Sequence, residues 1–181
     1  MASVMNFSEL VKQRQSDRKY KNDAVPRELL VQCIESARLS PSACNAQPWR
    51  FVVVDEAELK NKVADCAASL GMNKFALQAP VIIAVVLEKM NMLSAIGSVI
   101  RDKEFSLLDV GIAVNQLCLQ AADLGLGTCI VGWFNEKEVK RLLHIPKSKR
   151  VPLLITVGFP DAATRDKVRK SLDEMSSWNS Y

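Results

Sequence analysis

Val81-Ile82-Ile83-Ala84-Val85-Val86-Leu87 carries an apolar side chain at every position. A strand with one wet face alternates apolar and polar residues, so this unbroken run predicts a strand buried on both faces. Pro80 leads into it, and upstream the short β-branched run Arg50-Phe51-Val52-Val53-Val54 predicts a second strand. Between them, Glu56 to Leu70 predicts a helix, with Gly71 placed for a left-handed cap. Further upstream, Phe7 to Arg14 predicts a first helix capped by Asn6 or Ser8. Pro26 opens a second, whose Leu29, Leu30, Cys33, Ile34 and Ala37 recur at helical spacing until Pro41 stops it.

Downstream, residues 88–105 show no clean period. Met90, Met92, Leu93, Ile96, Val99 and Ile100 lie scattered among polar groups, which predicts a flexible lid or a short surface helix. Ser106 to Leu124 gives the strongest helical signal, with Leu107, Val110, Val114, Leu117, Cys118, Ala121 and Leu124 as its apolar stripe and Gly125 as its stop. Gly127 to Val131 predicts a strand. Asn135 with Glu138 predicts a capping box for a helix reaching His144, closed by Pro146. Val151 to Phe159 predicts the last strand. Strands and helices alternate, with extra helices at the front, so the class is α/β or α+β in a single domain.

The 181 residues are 49% hydrophobic and 24% charged, ordinary for a globular chain with one sizeable core. No run of eighteen apolar residues occurs, so no membrane span is expected. Met1 to Glu9 already carries polar residues and does not read as a secretory signal. Cys33, Cys44, Cys66, Cys118 and Cys129 are odd in number and widely spaced, which predicts reduced, mostly buried thiols of a cytoplasmic protein and no metal site. His144 is the sole histidine, and no G-x-S-x-G elbow accompanies it, so a hydrolytic triad is excluded. Gly125 and Gly127 follow a helix, the reverse of the order a Rossmann fingerprint needs, and read as a cap and tight turn.

The net charge of +4 is mild, but its placement is not even: Arg14, Arg18, Lys19 and Lys21 cluster near the start, and Arg165, Lys167, Arg169 and Lys170 near the end. Two such clusters either converge on one anion or form two solvated surfaces. The loop Pro41-Ser42-Ala43-Cys44-Asn45-Ala46-Gln47-Pro48-Trp49, between a helix and a strand, offers amides and hydroxyls in a proline-stiffened frame and reads equally as a binding loop or a connector.

That loop, as P-S-x-x-N-x-Q-P-W before a strand, resembles the signature of the FMN-dependent nitroreductase family. Three further segments agree in order: Arg14-Gln15-Ser16-Asp17-Arg18 resembles its R-x-S-x-R. The helix from Asp109 into Leu-Gly-Leu-Gly-Thr and Gly132-Trp133-Phe134 resembles its central helix and flavin-facing turn. Lys167-Val168-Arg169-Lys170 resembles its C-terminal K-x-R. The resemblance implies an α+β fold, a central mixed sheet flanked by helices, and a homodimer with FMN at the subunit interface. Arg14, Lys167 and Arg169 would clamp the phosphate, with Gln15 beside them, Ser16 adding a hydroxyl, and Arg18 near the ribityl chain or the pyrimidine edge.

Pro41, Ser42, Ala43 and Asn45, with Gln47 close by, would reach the flavin from the other subunit. Asn73 would meet the pyrimidine side, and Ile130, Val131 and Gly132 would line the ring, a backbone N–H there facing N5. Trp49 reads as a packing anchor and Cys44 as a small buried filler. Family members often exchange a C-terminal strand between subunits, and the twelve residues after Arg169 leave a short arm or none.

The resemblance implies NADH or NADPH as donor, ping-pong transfer through flavin N5, and no catalytic residue from the protein. A specialised flavin-dependent dehydrogenase or enone reductase is the alternative enzyme. A non-catalytic anion- or flavin-binding protein is the alternative without turnover, and nucleic-acid binding is disfavoured by the low charge.

Overall fold

The computed structural model describes residues 6–88 and 104–181; the segment expected to form a lid lies almost wholly outside them. Four strands form one sheet in the order β1 (Trp49–Val54), β2 (Val81–Leu87), β4 (Arg150–Gly158), β3 (Gly127–Val131). The helices are α1 (Phe7–Gln13), α2 (Arg27–Arg38), α3 (Ala57–Ala68), α4 (Phe105–Asp123), α5 (Glu136–Leu142) and a short α6 (Leu172–Met175). The class is α+β.

The run at 81–87 divides by its period of two. Val81, Ile83 and Val85 point into a core shared with Leu30, Cys33 and Ala37 of α2 and with Val110, Ala113, Val114 and Leu117 of α4. Ile82, Ala84 and Val86 point the other way, against Val63, Ala64 and Ala67 of α3 and Val139 of α5. Each large aliphatic side chain so buried stabilises the fold by roughly 1.5–3 kcal/mol before entropy is counted. Unbroken apolar strands are most familiar in parallel sheets, yet every pair of named strands here is antiparallel. The parallel component of the expected mixed sheet is one bridge, Ser16 to Thr128.

Several local readings shift. Asn6, not Ser8, caps α1, in a reciprocal box with Glu9. Asn135 accepts from the Glu138 amide, but the Glu138 carboxylate turns to Arg141 at 2.6 Å, so half of the expected capping box forms. The α4 stripe holds at Val110, Val114, Leu117, Cys118 and Ala121, which are buried, but not at its start, where Leu107 is exposed and Ser106 and Asp109 are buried; Leu108 and Ile112 are exposed on the other side. Short 3-10 turns at Ser69–Gly71 and Lys74–Gln78 carry the chain from α3 to β2. By length and composition α4 passes as a membrane span, but half of it is buried against the rest of this chain.

Candidate functional site

The sheet edge positions the N-terminal basic motif. Asp17 donates its amide to the Thr128 carbonyl at 2.8 Å, laying residues 14–18 alongside β3. Tyr20, buried, places its hydroxyl 2.7 Å from the Asp17 carbonyl and 2.6 Å from Thr156 Oγ1. A bridge between Tyr20 and Pro160 then brings the chain leaving β4 back beside this segment. Residues 165–169 consequently face residues 14–18 across a cleft of about 370 Å³ lined by Arg14, Gln15, Ser16, Arg18, Arg165, Asp166, Lys167, Val168 and Arg169.

Five cations and one carboxylate in so small a space form a site suited to an anion. Lys167 donates to the carbonyls of Lys12 and Arg14, both at 2.5 Å, tying the C-terminal segment to the end of α1. Its pKa is held below the usual lysine value, first by desolvation and then by the neighbouring Arg14 and Arg169 charges. Gln15 faces inward: its Nε2 donates to Asp17 Oδ1 at 2.9 Å and its Oε1 accepts from Arg165.

Next to the cleft, the Arg18 guanidinium stands 5.7 Å from the centre of the Phe75 ring. Asn73, in a left-handed conformation with φ 49°, donates its side-chain amide to the Trp133 carbonyl at 2.9 Å. Asn73 is thereby brought to the turn that follows β3. There Ile130 and Gly132 are exposed, but Val131 as a whole residue is 3% exposed and its side chain belongs to the core.

The Pro41–Gln47 loop is built elsewhere. Ala43–Asn45 forms a 3-10 turn, and Cys44, Asn45 and Gln47 all have positive φ. Left-handed backbone is disfavoured for residues with a Cβ and persists only where surroundings hold it. Ser42 Oγ accepts from the Gln47 amide at 3.0 Å, the Gln47 side chain donates to Asn45 Oδ1 at 3.0 Å, and buried Asp109 accepts from the Ala43 amide at 3.1 Å. Pro41 is exposed, and so is Cys44, contrary to its reading as a buried filler. Trp49 is half-buried and packs on the core beneath α2 and α4.

The loop sits at the Asp109 end of α4, while the pocket beside Arg14 abuts Ala122 and Gly125 at the other end. At 1.5 Å per residue, Asp109 and Ala122 are about 20 Å apart. One chain thus assembles Arg14–Arg18, Asn73, Ile130–Gly132 and Lys167–Arg169 on one side, and does not bring its own Pro41–Gln47 loop to them.

Sequence reasoning passed over Asp109 and treated Arg165 only as part of a charged run. The available signal for Asp109 was a carboxylate inside an apolar helical stripe. For Arg165, pairing across 150 residues leaves no local signal. Among the described residues no cluster of His, Cys, Asp and Glu suits a metal ion.

A family model described as "Nitroreductase family" matches residues 11–159. The chain is 27% identical to the iodotyrosine deiodinase of Thermotoga neapolitana, covering 84% of this chain and 88% of that protein. It is likewise 27% identical to the oxygen-insensitive NADPH nitroreductase of Helicobacter pylori, covering 82% and 84%. Among solved structures, an FMN-dependent nitroreductase from Clostridium difficile R20291 superposes with a TM-score of 0.79 at 26% identity, covering 95% of this chain and 98% of that one.

Proposed function

The chain belongs to the nitroreductase family, and from that premise we propose that it is an FMN-dependent NAD(P)H oxidoreductase, a cytoplasmic homodimer that reduces nitroaromatic, quinone or similar acceptors. The observation that carries the reading is the meeting of basic side chains from both ends of the polypeptide at one cleft, beside an exposed turn. A phosphate matches that donor set, because guanidinium groups present paired N–H donors to its oxygens. Bound FMN would supply the hydride-accepting chemistry, taking electrons from NADH or NADPH and passing them on.

The protein's part is to bind and orient. Arg14, Lys167 and Arg169 meet the phosphate, Ser16 adds a hydroxyl, and Arg18, braced on Phe75, covers the ribityl side. Asn73 steadies the turn whose exposed Ile130 and Gly132, with Val131 between them, would line the ring. Pro41, Ser42, Ala43, Asn45 and Gln47 complete the site from a second copy, since within one chain they lie at the far end of α4. The exposed Leu107, Leu108 and Ile112 supply an apolar face for that contact, and the tail after Pro160, with Leu172, Met175 and Trp178 exposed, supplies an arm. One flavin-binding domain spans residues 1–181. Four of the five thiols are buried, in keeping with a reducing compartment.

The purified protein is expected to be yellow, to release FMN on denaturation, and to bleach anaerobically with NADH or NADPH. A colourless protein, or a flavin that stays oxidised with both donors, counts against the proposal. Arg14→Ala is expected to weaken FMN binding roughly 10- to 100-fold, as measured by flavin fluorescence, since a charge-assisted phosphate contact contributes about 1.5–3 kcal/mol.

A further inference from the structure

A buried acid, Asp17, is linked through Gln15 to Arg165 of the basic cleft. Asp17 is 7% exposed and fixed from several sides. Its amide binds the Thr128 carbonyl, its carbonyl lies 2.7 Å from the Tyr20 hydroxyl, and its carboxylate lies so close to β3 that a Cβ on Gly127 would come within 2.8 Å of Cγ. The Gln15 amide turns its Nε2 toward Asp17, donating to Oδ1 at 2.9 Å.

That choice fixes the other end of the amide. Gln15 Oε1 accepts from the Arg165 backbone N–H at 3.1 Å and from its Nε at 3.3 Å, while Arg165 Nη2 donates to the Ser16 carbonyl at 2.9 Å. These side-chain contacts engage two of the five guanidinium N–H groups, and Arg165 lines the cleft. Without the acid, the Gln15 amide is free to turn its NH₂ toward Arg165, setting donor against donor.

We infer that Arg165 is a further ligand for the flavin phosphate and that Asp17 is its positioning residue, acting through Gln15. Gln15 then orients a phosphate ligand instead of serving as one. The inference rests on the FMN reading above. Burial raises the Asp17 carboxyl above the usual carboxylate range, and the Gln15 and Thr128 hydrogen bonds and the charges of Arg165 and Arg14 act in the opposite direction. The competing explanation is mechanical: Gln15 also donates to the Ala163 carbonyl at 3.3 Å, and the relay would then merely pin the C-terminal segment to the body.

FMN and riboflavin share the ring and ribityl chain and differ only in the phosphate, so titrating apoprotein with each isolates contacts to the phosphate. Repeating Arg165→Ala in a Lys167→Ala/Arg169→Ala background separates the two explanations: a direct ligand keeps its effect there, a pin for the C-terminal segment loses it. Arg165→Ala is expected to weaken FMN binding about 10-fold and to leave riboflavin binding within about twofold. Asp17→Ala is expected to weaken FMN selectively by about 3- to 10-fold, Asp17→Asn, which keeps an acceptor oxygen, to restore most of it, and the double variant to be no worse than Arg165→Ala alone. Equal losses for both flavins, or no loss in Arg165→Ala, overturn the inference. Arg165 is exposed, so that variant decides the matter even if Asp17→Ala fails to fold. Wild-type protein that binds no FMN sinks the functional reading as well, whereas normal wild-type FMN binding with an unaffected Arg165→Ala sinks this inference alone.

Discussion

Ile112→Glu is expected to leave the chain folded but to turn it into monomers that retain no flavin. Ile112 is 44% exposed and Leu108 60% exposed, on the side of α4 turned away from the sheet. A helix apolar on both sides needs a second cover, and among the described residues only one side is covered. A carboxylate placed there costs the single chain nothing, because water solvates it. In a subunit contact it becomes an unpaired buried charge, a change that costs about 2–5 kcal/mol, or at least roughly 30-fold in dimer dissociation. In the proposed dimer, flavin loss follows because the Pro41–Gln47 loop would reach a neighbour's cleft only through that contact. Sedimentation velocity with the flavin-to-protein absorbance ratio reads both effects. A variant that stays dimeric and fully loaded removes α4 from the interface, and monomers that hold flavin remove the loop from the site.

Gly158→Ala is expected to lower stability by about 3 kcal/mol, near the upper end of overpacking costs, and the melting temperature by about 6–12 °C for a chain of this size. A Cβ on Gly158 would sit 2.6 Å from Pro80 Cδ and 2.9 Å from Tyr20 Cδ1. Neither atom is the loose end of a flexible side chain: one belongs to a ring closed on the backbone, the other to a buried aromatic. If Tyr20 yields, its hydroxyl leaves Thr156 and Asp17, so the damage spreads from β4 to the segment bearing Arg14 and Arg18. Thermal melting checks the prediction against Gly132→Ala, where the nearest side-chain atom is 3.8 Å away and the melting temperature should hardly change. Equal melting temperatures for the two variants would mean that the strand shifts to make room.

The motif residues were legible because their chemistry is local. The R-x-S-x-R segment and the Pro-Ser loop announce themselves by charge, by proline and by small polar groups; the loop lies between helix and strand as expected, whereas the sheet-edge position of residues 14–18 emerges only in the fold. The departure at the start of the α4 stripe was not legible. Leu107 and Val110 are equally apolar as letters, and only packing decides that the first faces out while Asp109 faces in to hold Ala43. Cys44 misled for a related reason: its left-handed conformation turns it outward, and φ is set by the loop's hydrogen bonds, not by the residue's hydrophobicity.

The strands and the division of the core follow from local sequence pattern alone. Alternation and helical period are properties of neighbouring residues, and burying apolar area follows from them with little choice. The partnership of Asp17, Gln15 and Arg165 was decided only by the tertiary structure, as was the distance that keeps the Pro-Ser loop from its own chain's cleft. Both depend on where α4 and the sheet edge set segments that lie far apart in the chain. Hydrogen bonds act over about 3 Å, so a pairing across 150 residues exists only once the fold has closed that distance.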